Sequence, residues 1–509
     1  IIFVFMFIRE LRHKNGRIYI QVVDKSSGRY KVLKSFGSSL TSEGVLELKK
    51  LASIWINEHQ CVREIDFTHE IEQIEQMLSG ITQLKLAGIE LVLGRIFDEI
   101  GFNKINDELF RSLVLYRLVY PKSKLKTTEY LYRYEQKEWS EDAIYRYMDK
   151  LHSTQKEFVQ QISYAHSLKV LGGQINVVFY DVTTLYFEID QEDELRKTGF
   201  SKEGKHQNPQ IILGLLVSKN GYPLAYDIYQ GNKFEGHTLL PIIDSFKSKY
   251  KIEKLTIIAD SGLLSQSNID ELQTKNYEFI LGARIKNQKY TVQQKILNLQ
   301  LKNGESQLIQ TNDLKLIVSY SDDRAKKDRY NREKGLRKLE KQVRTGKLTK
   351  SSINNRGYNK YLKLEGELNV KIDLEKFNQD AQWDGLKGYI TNSSLTKGEI
   401  LENYHHLWKI EKAFRIAKTD LKIRPIYHRL QRRIEAHICL TFAAYKVYKE
   451  LERQLKEKQV PYSATKVIEI AQSIFEIEIK TTKSKEIVRK ILLVNQEQKD
   501  LNKFLKFGC

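Results

Sequence analysis

Cysteine is scarce in this chain: Cys61, Cys439 and Cys509 are scattered through 509 residues and never form a Cys-x-x-Cys pair. That spacing argues against a disulfide framework and a structural zinc site. Long apolar runs are also missing. The opening stretch Ile1 to Ile8 meets Arg9, Glu10 and Arg12 at once, and no later run approaches the roughly 18 apolar residues of a spanning helix. The opening also lacks the basic leader and small-residue cleavage site of an export signal. The expectation is therefore a soluble, cytoplasmic protein with no membrane partner. Acidic residues are the minority, 64 against 84 Lys and Arg, which leaves a net charge of +20. Such a surplus favours a polyanionic partner, nucleic acid before anything else. A hydrophobic fraction of 41% permits ordinary globular folding, and the length suggests two to four domains.

Near the start, Arg17 to Val23 and Tyr30 to Phe36 are β-rich runs separated by Asp24-Lys25-Ser26-Ser27-Gly28, which reads as a hairpin. From Ser42 to about Val170, Gly and Pro are rare. Apolar residues there recur at helical spacing, as in Leu91, Leu93, Ile96, Phe97 and Ile100. The same stretch carries Tyr116-Arg117-Leu118-Val119-Tyr120 and Tyr130-Leu131-Tyr132-Arg133-Tyr134. Such a mixture can grip phosphates and stack on bases. Helices with tyrosine in the core and arginine in solvent would carry the same letters.

From Ile175 short apolar strands alternate with helices, the pattern of an α/β unit. Ile175 to Tyr180 reads as a buried strand ending in Asp181. Ile211 to Val217 and Pro223 to Tyr229 form a hairpin around Lys219-Asn220-Gly221. A helix over Thr238 to Tyr250, a strand over Leu255 to Ala259 ending in Asp260, a helix over Ser265 to Lys275 and a strand over Phe279 to Gly282 follow. Strand, hairpin, helix, strand, helix, strand is the order of a ribonuclease-H-like fold. Between Arg324 and Lys363 stand 15 Lys or Arg and 3 acidic residues, a density that favours a DNA-facing insertion over a merely solvated helix. The expected organisation is an N-terminal hairpin and helical linker over 1–80 and a helical DNA-end-binding region over 81–170. The α/β core, ribonuclease-H-like, would span 171–285 and 376–450, around a basic, partly β insertion over 286–375. A helical C-terminal region would take 451–509.

Cutting a phosphodiester with water or a sugar hydroxyl requires charge to be neutralised on the attacking and leaving oxygens, which two divalent ions can do. Hard oxygen ligands suit magnesium, and the carboxyl ends of neighbouring parallel strands are where an α/β sheet presents them. Asp181 and Asp260 each follow such a strand. A third carboxylate, Glu411, shares a helical face with Arg415 and Lys418, so that metal ligand and phosphate contacts could meet on one surface. An ordinary Glu to Arg pair on a wet face would show the same spacing.

These residues resemble the DDE insertion-sequence transposases whose third acid lies in a Tyr-(2)-Arg-(3)-Glu-(6)-Lys signature. Tyr404, Glu411 and Lys418 fall at those spacings, and Leu407 stands where the family carries Arg. Tyr180-Asp181-Val182-Thr183-Thr184, Gly231-Asn232 with Glu235, Ala259-Asp260-Ser261-Gly262, Trp383-Asp384-Gly385 and Thr391-Asn392 extend the resemblance from about Asn176 to Ala444. It implies that Asp181, Asp260 and Glu411 are catalytic and bind two Mg2+ or Mn2+ ions. It also implies DNA contacts at Tyr404 and Lys418, joined by the nearby cations Arg415, Arg424 and Arg429. The reaction would be cleavage at terminal inverted repeats and joining of the 3′ hydroxyl to target DNA by a homodimer. A bacterial protein associated with the nucleoid when bound to DNA is expected. A ribonuclease-H-like nuclease without strand transfer, and an inactive DNA-binding descendant, are the alternatives.

Overall fold

The computed structural model describes residues 6–60, 70–201, 204–263, 265–311, 314–345, 348–354, 357–365, 369–481 and 485–506. Cys61 and Cys509 lie outside them; Cys439 is buried and free. The chain divides into two compact units, one of residues 1–83 and 478–489, the other of 84–477 and 490–509.

In the first unit β1 (Met6–Arg12), β2 (Ile18–Asp24) and β3 (Lys31–Ser39) form an antiparallel sheet in that order. The β2–β3 hairpin is the one legible in the sequence; β1 was not anticipated. Ile20 and Val22 pack against Val45 and Ala52 of α1 (Ser42–Gln60). Helix α2 (Glu70–Ser79) follows, and the chain passes between the units along β4 (Ile81–Leu86). That strand interrupts a stretch whose apolar spacing had suggested helix throughout.

The second unit opens with α3 (Arg95–Ile100), α4 (Glu108–Val119), α5 (Lys124–Glu135), α6 (Glu141–Lys150) and α7 (Lys156–Val170). Its sheet is built from β5 (Val177–Tyr186), β6 (Gln210–Ser218), β7 (Pro223–Gln230), β8 (Thr256–Ala259), β9 (Glu278–Ala283), β10 (Ser306–Thr311), β11 (Leu314–Tyr320) and β14 (Leu386–Thr391). Helices α8 (Leu239–Tyr250) and α9 (Gln266–Thr274) connect its middle strands. The order across the sheet is β10-β11-β14-β9-β8-β5-β6-β7. β5, β8 and β9 run parallel, whereas β6 and β7 are antiparallel to their neighbours. Five of the strands, β7-β6-β5-β8-β9, thus have the ribonuclease-H-like arrangement. Its hairpin closes as expected at Gly221, whose φ of +81° suits the Asn-Gly turn.

Two features differ from the sequence reading. β10 and β11, placed there in a basic insertion, instead continue the core sheet beyond β14, because Leu316, Ile317 and Val318 are buried between its layers. What stands apart from the sheet is the segment holding α11 (Asp322–Arg344), the short pair β12 (Leu362–Glu365) and β13 (Asn369–Ile372), and α12 (Leu374–Ala381). Helix α10 (Tyr290–Leu297) precedes β10. The C-terminal region, read as helical, also contains β15 (Phe475–Lys480) and β16 (Ile487–Leu492) beside α16 (Ala464–Ala471) and α17 (Gln496–Leu505).

Both faces of the sheet are covered. Alternate residues of a strand point to opposite faces. Phe179, Leu185 and Ile258 enter a core with α13 (Lys397–His405), α14 (Trp408–Thr419) and α15 (Gln431–Glu457), whereas Val178, Tyr180 and Ile257 enter one beneath α8 and α9. Helix α15 is buried along most of its length, and its buried polar groups are paired, Lys446 with Ser163 and Ser167 and Glu450 with Tyr222 and Arg453, as burial of charge requires.

Candidate active site

Parallel pairing sets the first two acids side by side. Val177–Tyr180 of β5 lie opposite Thr256–Ala259 of β8, and Asp181 and Asp260 follow at the same level, one inter-strand spacing or about 5 Å apart at their backbones. By alternation Asp181 faces the same side as Phe179, and Asp260 the same side as Ile258, which is the side covered by α14. β5 does not end at Asp181 as the sequence suggested. It runs on to Tyr186, with Asp181 opposite Leu215, because the fully buried β6 continues the ladder past the end of β8. Oδ1 of Asp181 accepts the Val182 N–H at 2.8 Å.

Glu411 lies in the first turn of α14, where the helix dipole favours a carboxylate. Ile410, Ala413 and Phe414 anchor the helix in the core, leaving Glu411 and Arg415 exposed and Lys418 half-buried. Helix α13 starts with a capping box, Thr396 and Glu399, which fixes its first turn and so the path to Tyr404. Asp260 and Glu411 line one open cleft of about 590 Å³ with Lys387, Tyr389, Tyr404, Leu407 and Trp408. Asp260, Lys387 and Tyr404 also line a second cleft of about 850 Å³ that opens towards Arg284, Arg324 and Trp383. Asp181 lines neither. Among the described residues, no three His, Cys, Asp or Glu side chains form a group that could hold one metal ion. The side chains of Asp260 and Glu411 are therefore brought together, and Asp181 joins them by strand register only.

Tyr404, expected to touch DNA, is only 3% exposed, and its hydroxyl donates to Oδ1 of Asp260 at 3.2 Å. Its ring meets Tyr389 edge to face at 4.7 Å. Gly282 makes room for this: a Cβ there would stand 2.5 Å from the Tyr404 hydroxyl. A carboxylate offers about four acceptor positions, so one bond to Tyr404 fixes the rotation of Asp260 and leaves the others free.

Lys387 was missed in the sequence. Its ammonium lies 4.5 Å from the Tyr404 ring centroid. Burial, and then Arg324, depress its pKa below the usual lysine value, against the pull of Asp260 and Glu411. The available signal was a lysine in the otherwise apolar run Leu386-Lys387-Gly388-Tyr389-Ile390.

The basic residues after α14 do not form one surface. Arg424 sits over the Tyr186 ring at 5.4 Å, and Arg429 is exposed. Arg432 and Arg433 pair with Asp149, and burial pushes His428 down to about 3. Other motif residues hold the scaffold. Asp384 binds Arg332 of α11 at 2.6 Å, and Asn392 bonds the backbone of Phe279 and Tyr277.

Paired carboxylates at one level of neighbouring parallel strands in this sheet suit a metal-dependent enzyme acting on phosphodiesters. The family model described as transposase DDE domain matches residues 172–446, a span that contains all three acids and more than half of the chain. The chain belongs to that family and is a DNA transposase, an enzyme that cuts and joins DNA with the help of divalent metal. Among solved structures it is similar to a piggyBac transposase synaptic complex with hairpin DNA, at 10% identity and TM-score 0.38, over 77% of each chain. It is also similar to a Mos1 transposase paired-end complex with the left transposon end, at 12% identity and TM-score 0.16, over 34% of this chain and 58% of that one. No curated protein sequence matches. Among the described residues, no helix is long and apolar enough to cross a membrane.

Proposed function

We propose that Asp181, Asp260 and Glu411 are the catalytic carboxylates. In this reading the chain cleaves the ends of an insertion sequence at terminal inverted repeats and joins the freed 3′ hydroxyl to target DNA. The observation that carries this is the parallel register of β5 and β8, which sets Asp181 beside Asp260 on the face where α14 brings Glu411. Three carboxylates are hard-oxygen donors of the kind magnesium and manganese take, and in this reading they would hold a pair of such ions. Bound there, the ions would screen the attacking and leaving oxygens of the phosphodiester.

The protein's own part is to hold the acids and the DNA. Tyr404 orients Asp260 rather than reading DNA. Lys387 places a cation in the cleft that Leu407, apolar and 7% exposed, cannot supply from the family's Arg position. It would bind the phosphate beside the cut. Arg415 and Lys418 extend the phosphate contacts along α14, and Arg424 and Arg429 would add separate ones beyond it. The active form would be a homodimer holding two element ends, working at the bacterial nucleoid.

Nicking of a labelled end should be supported by Mg2+ or Mn2+, while Ca2+ should permit binding with little cleavage. Undiminished nicking in excess chelator overturns the metal mechanism. Lys387→Met should lower single-turnover cleavage on the order of 100-fold, the loss seen when one transition-state charge partner is removed, with much less change in end binding. Equal losses in both would make Lys387 a general DNA contact.

A further inference from the structure

We propose that the open face of the N-terminal sheet is a duplex-DNA-reading site that enters the major groove.

One face of this sheet is closed by α1 through Ile20, Val22, Val45 and Ala52. The register fixes the other face: Phe7 lies beside Val23, Arg9 beside Gln21 and Leu11 beside Tyr19, with Val32 and Ser35 from β3 next to Val23 and Gln21; Val23 is buried there, and Arg9 and Gln21 are half-buried. Tyr30, Val32 and Phe7 are 51%, 48% and 39% exposed. Acidic groups are turned away from this face. Glu10 alternates to the α1 side, where it pairs with Lys49, and Asp24 is committed to the N–H and hydroxyl of Ser26. Cations, by contrast, crowd both ends. The β1–β2 turn exposes Lys14 and Arg17, and the β2–β3 turn exposes Lys25 and Arg29.

This charge pattern selects a polyanion, and the shape selects a duplex. Three strands are about 10 Å across, and a B-DNA major groove is about 12 Å wide. The two turns stand about 20 Å apart along β2, so a straight sheet in a winding groove meets the phosphate backbone at each end. At its centre Arg9 and Gln21 lie side by side, a guanidinium suited to guanine and an amide suited to adenine. The Arg9 guanidinium is 4.6 Å from the Tyr30 ring centroid, a cation–π contact that limits its freedom before DNA arrives. Phe7 and Val32 beside them are apolar surface of the kind that meets thymine methyls.

The test uses the full chain and needs no catalysis. The protein is used to select duplexes from a pool with random cores, and binding of the selected sequence is measured across a salt series. The wild type and Asp260→Ala should enrich the same sequence. Arg9→Ala with Gln21→Ala should lose about 10- to 100-fold of the preference at neighbouring base pairs. Arg9→Lys keeps the charge but not the fork, so it should lose preference and keep the salt slope. Replacing Lys14, Arg17, Lys25 and Arg29 together by Ala should reduce the salt slope by between three and four on any duplex. An unchanged selected sequence in Arg9→Ala with Gln21→Ala, or an unchanged slope in the fourfold variant, each with wild-type thermal unfolding, overturns the proposal. Failure here with intact end cleavage would leave the catalytic reading standing.

Discussion

At the junction of α4 and α5 two cations turn inward, Arg117 and Lys124 each 6% exposed, and Arg133 near the end of α5 is exposed, whereas in α11 Lys326, Lys327, Lys334 and Lys338 all stand in solvent. Both stretches are basic helices with tyrosines, and both were candidates for gripping DNA. They differ in what surrounds them. Helix α4 is covered by α15, and Leu113, Val114, Leu115 and Tyr116 are all buried in succession, so no face is left for DNA. Its tyrosine neighbours pack on one another, Tyr120 with Tyr130 at 4.8 Å and with Tyr134 at 5.5 Å. Helix α11 buries one stripe, Arg332, Gly335 and Leu339, and its remaining cations have no core to enter. Charge density therefore marks a nucleic-acid surface only where the apolar residues beside it are confined to one stripe.

The comparison breaks most visibly if the α11 cations prove idle. Lys326→Ala, Lys334→Ala and Lys338→Ala combined should lower the salt slope of DNA binding by nearly three and leave folding intact; a wild-type slope would make α11 a solvated strut. Arg117→Met should leave the slope at its wild-type value. Burial depresses the Arg117 pKa, and its guanidinium lies 3.3 Å from His437 Nδ1. A buried charge without an acidic partner is costly to desolvate, so its removal should not lower the thermal midpoint. A reduced slope with unchanged stability would return α4 to the DNA surface.

The smallest effect is one of pH. Burial, then Lys124, Arg117 and Arg433, hold His428 at about 3, below its usual 6.5. A base depressed in the folded state is neutral there and takes up a proton more readily when unfolded. Its contribution is complete above about pH 6.5 and is lost as pH falls from there towards 3, by at most about 1.4 kcal/mol per pH unit. His428→Gln should flatten stability over that window, measured by denaturant unfolding at several pH values. An unaltered pH dependence would place His428 in water.

What the sequence disclosed follows the range of the interactions involved. Strands β5 to β9 were legible because each is a short run of apolar or β-branched residues bounded by turns, and their order alone suggested which acids would be neighbours. The same local pattern could not show that β6 would draw β5 on past Asp181 to Tyr186, since that depends on a partner some thirty residues away. Tyr404 was found by its spacing from Glu411, but its burial against Asp260 was out of reach, because that contact spans 144 residues and depends on the space left at Gly282. Lys387 escaped notice for a related reason. A single lysine in an apolar run does not say what it faces, and only the fold sets it in one cleft with Asp260 and Glu411.

The most direct measurement is single-turnover cleavage of an element end by Asp181→Ala, Asp260→Ala and Glu411→Ala, each beside its own end-binding curve and thermal unfolding. The account predicts a loss of at least about 100- to 1,000-fold in cleavage for every one of the three, with folding and end binding close to wild type. Near-wild-type cleavage by any folded member of the set would contradict the three-carboxylate site.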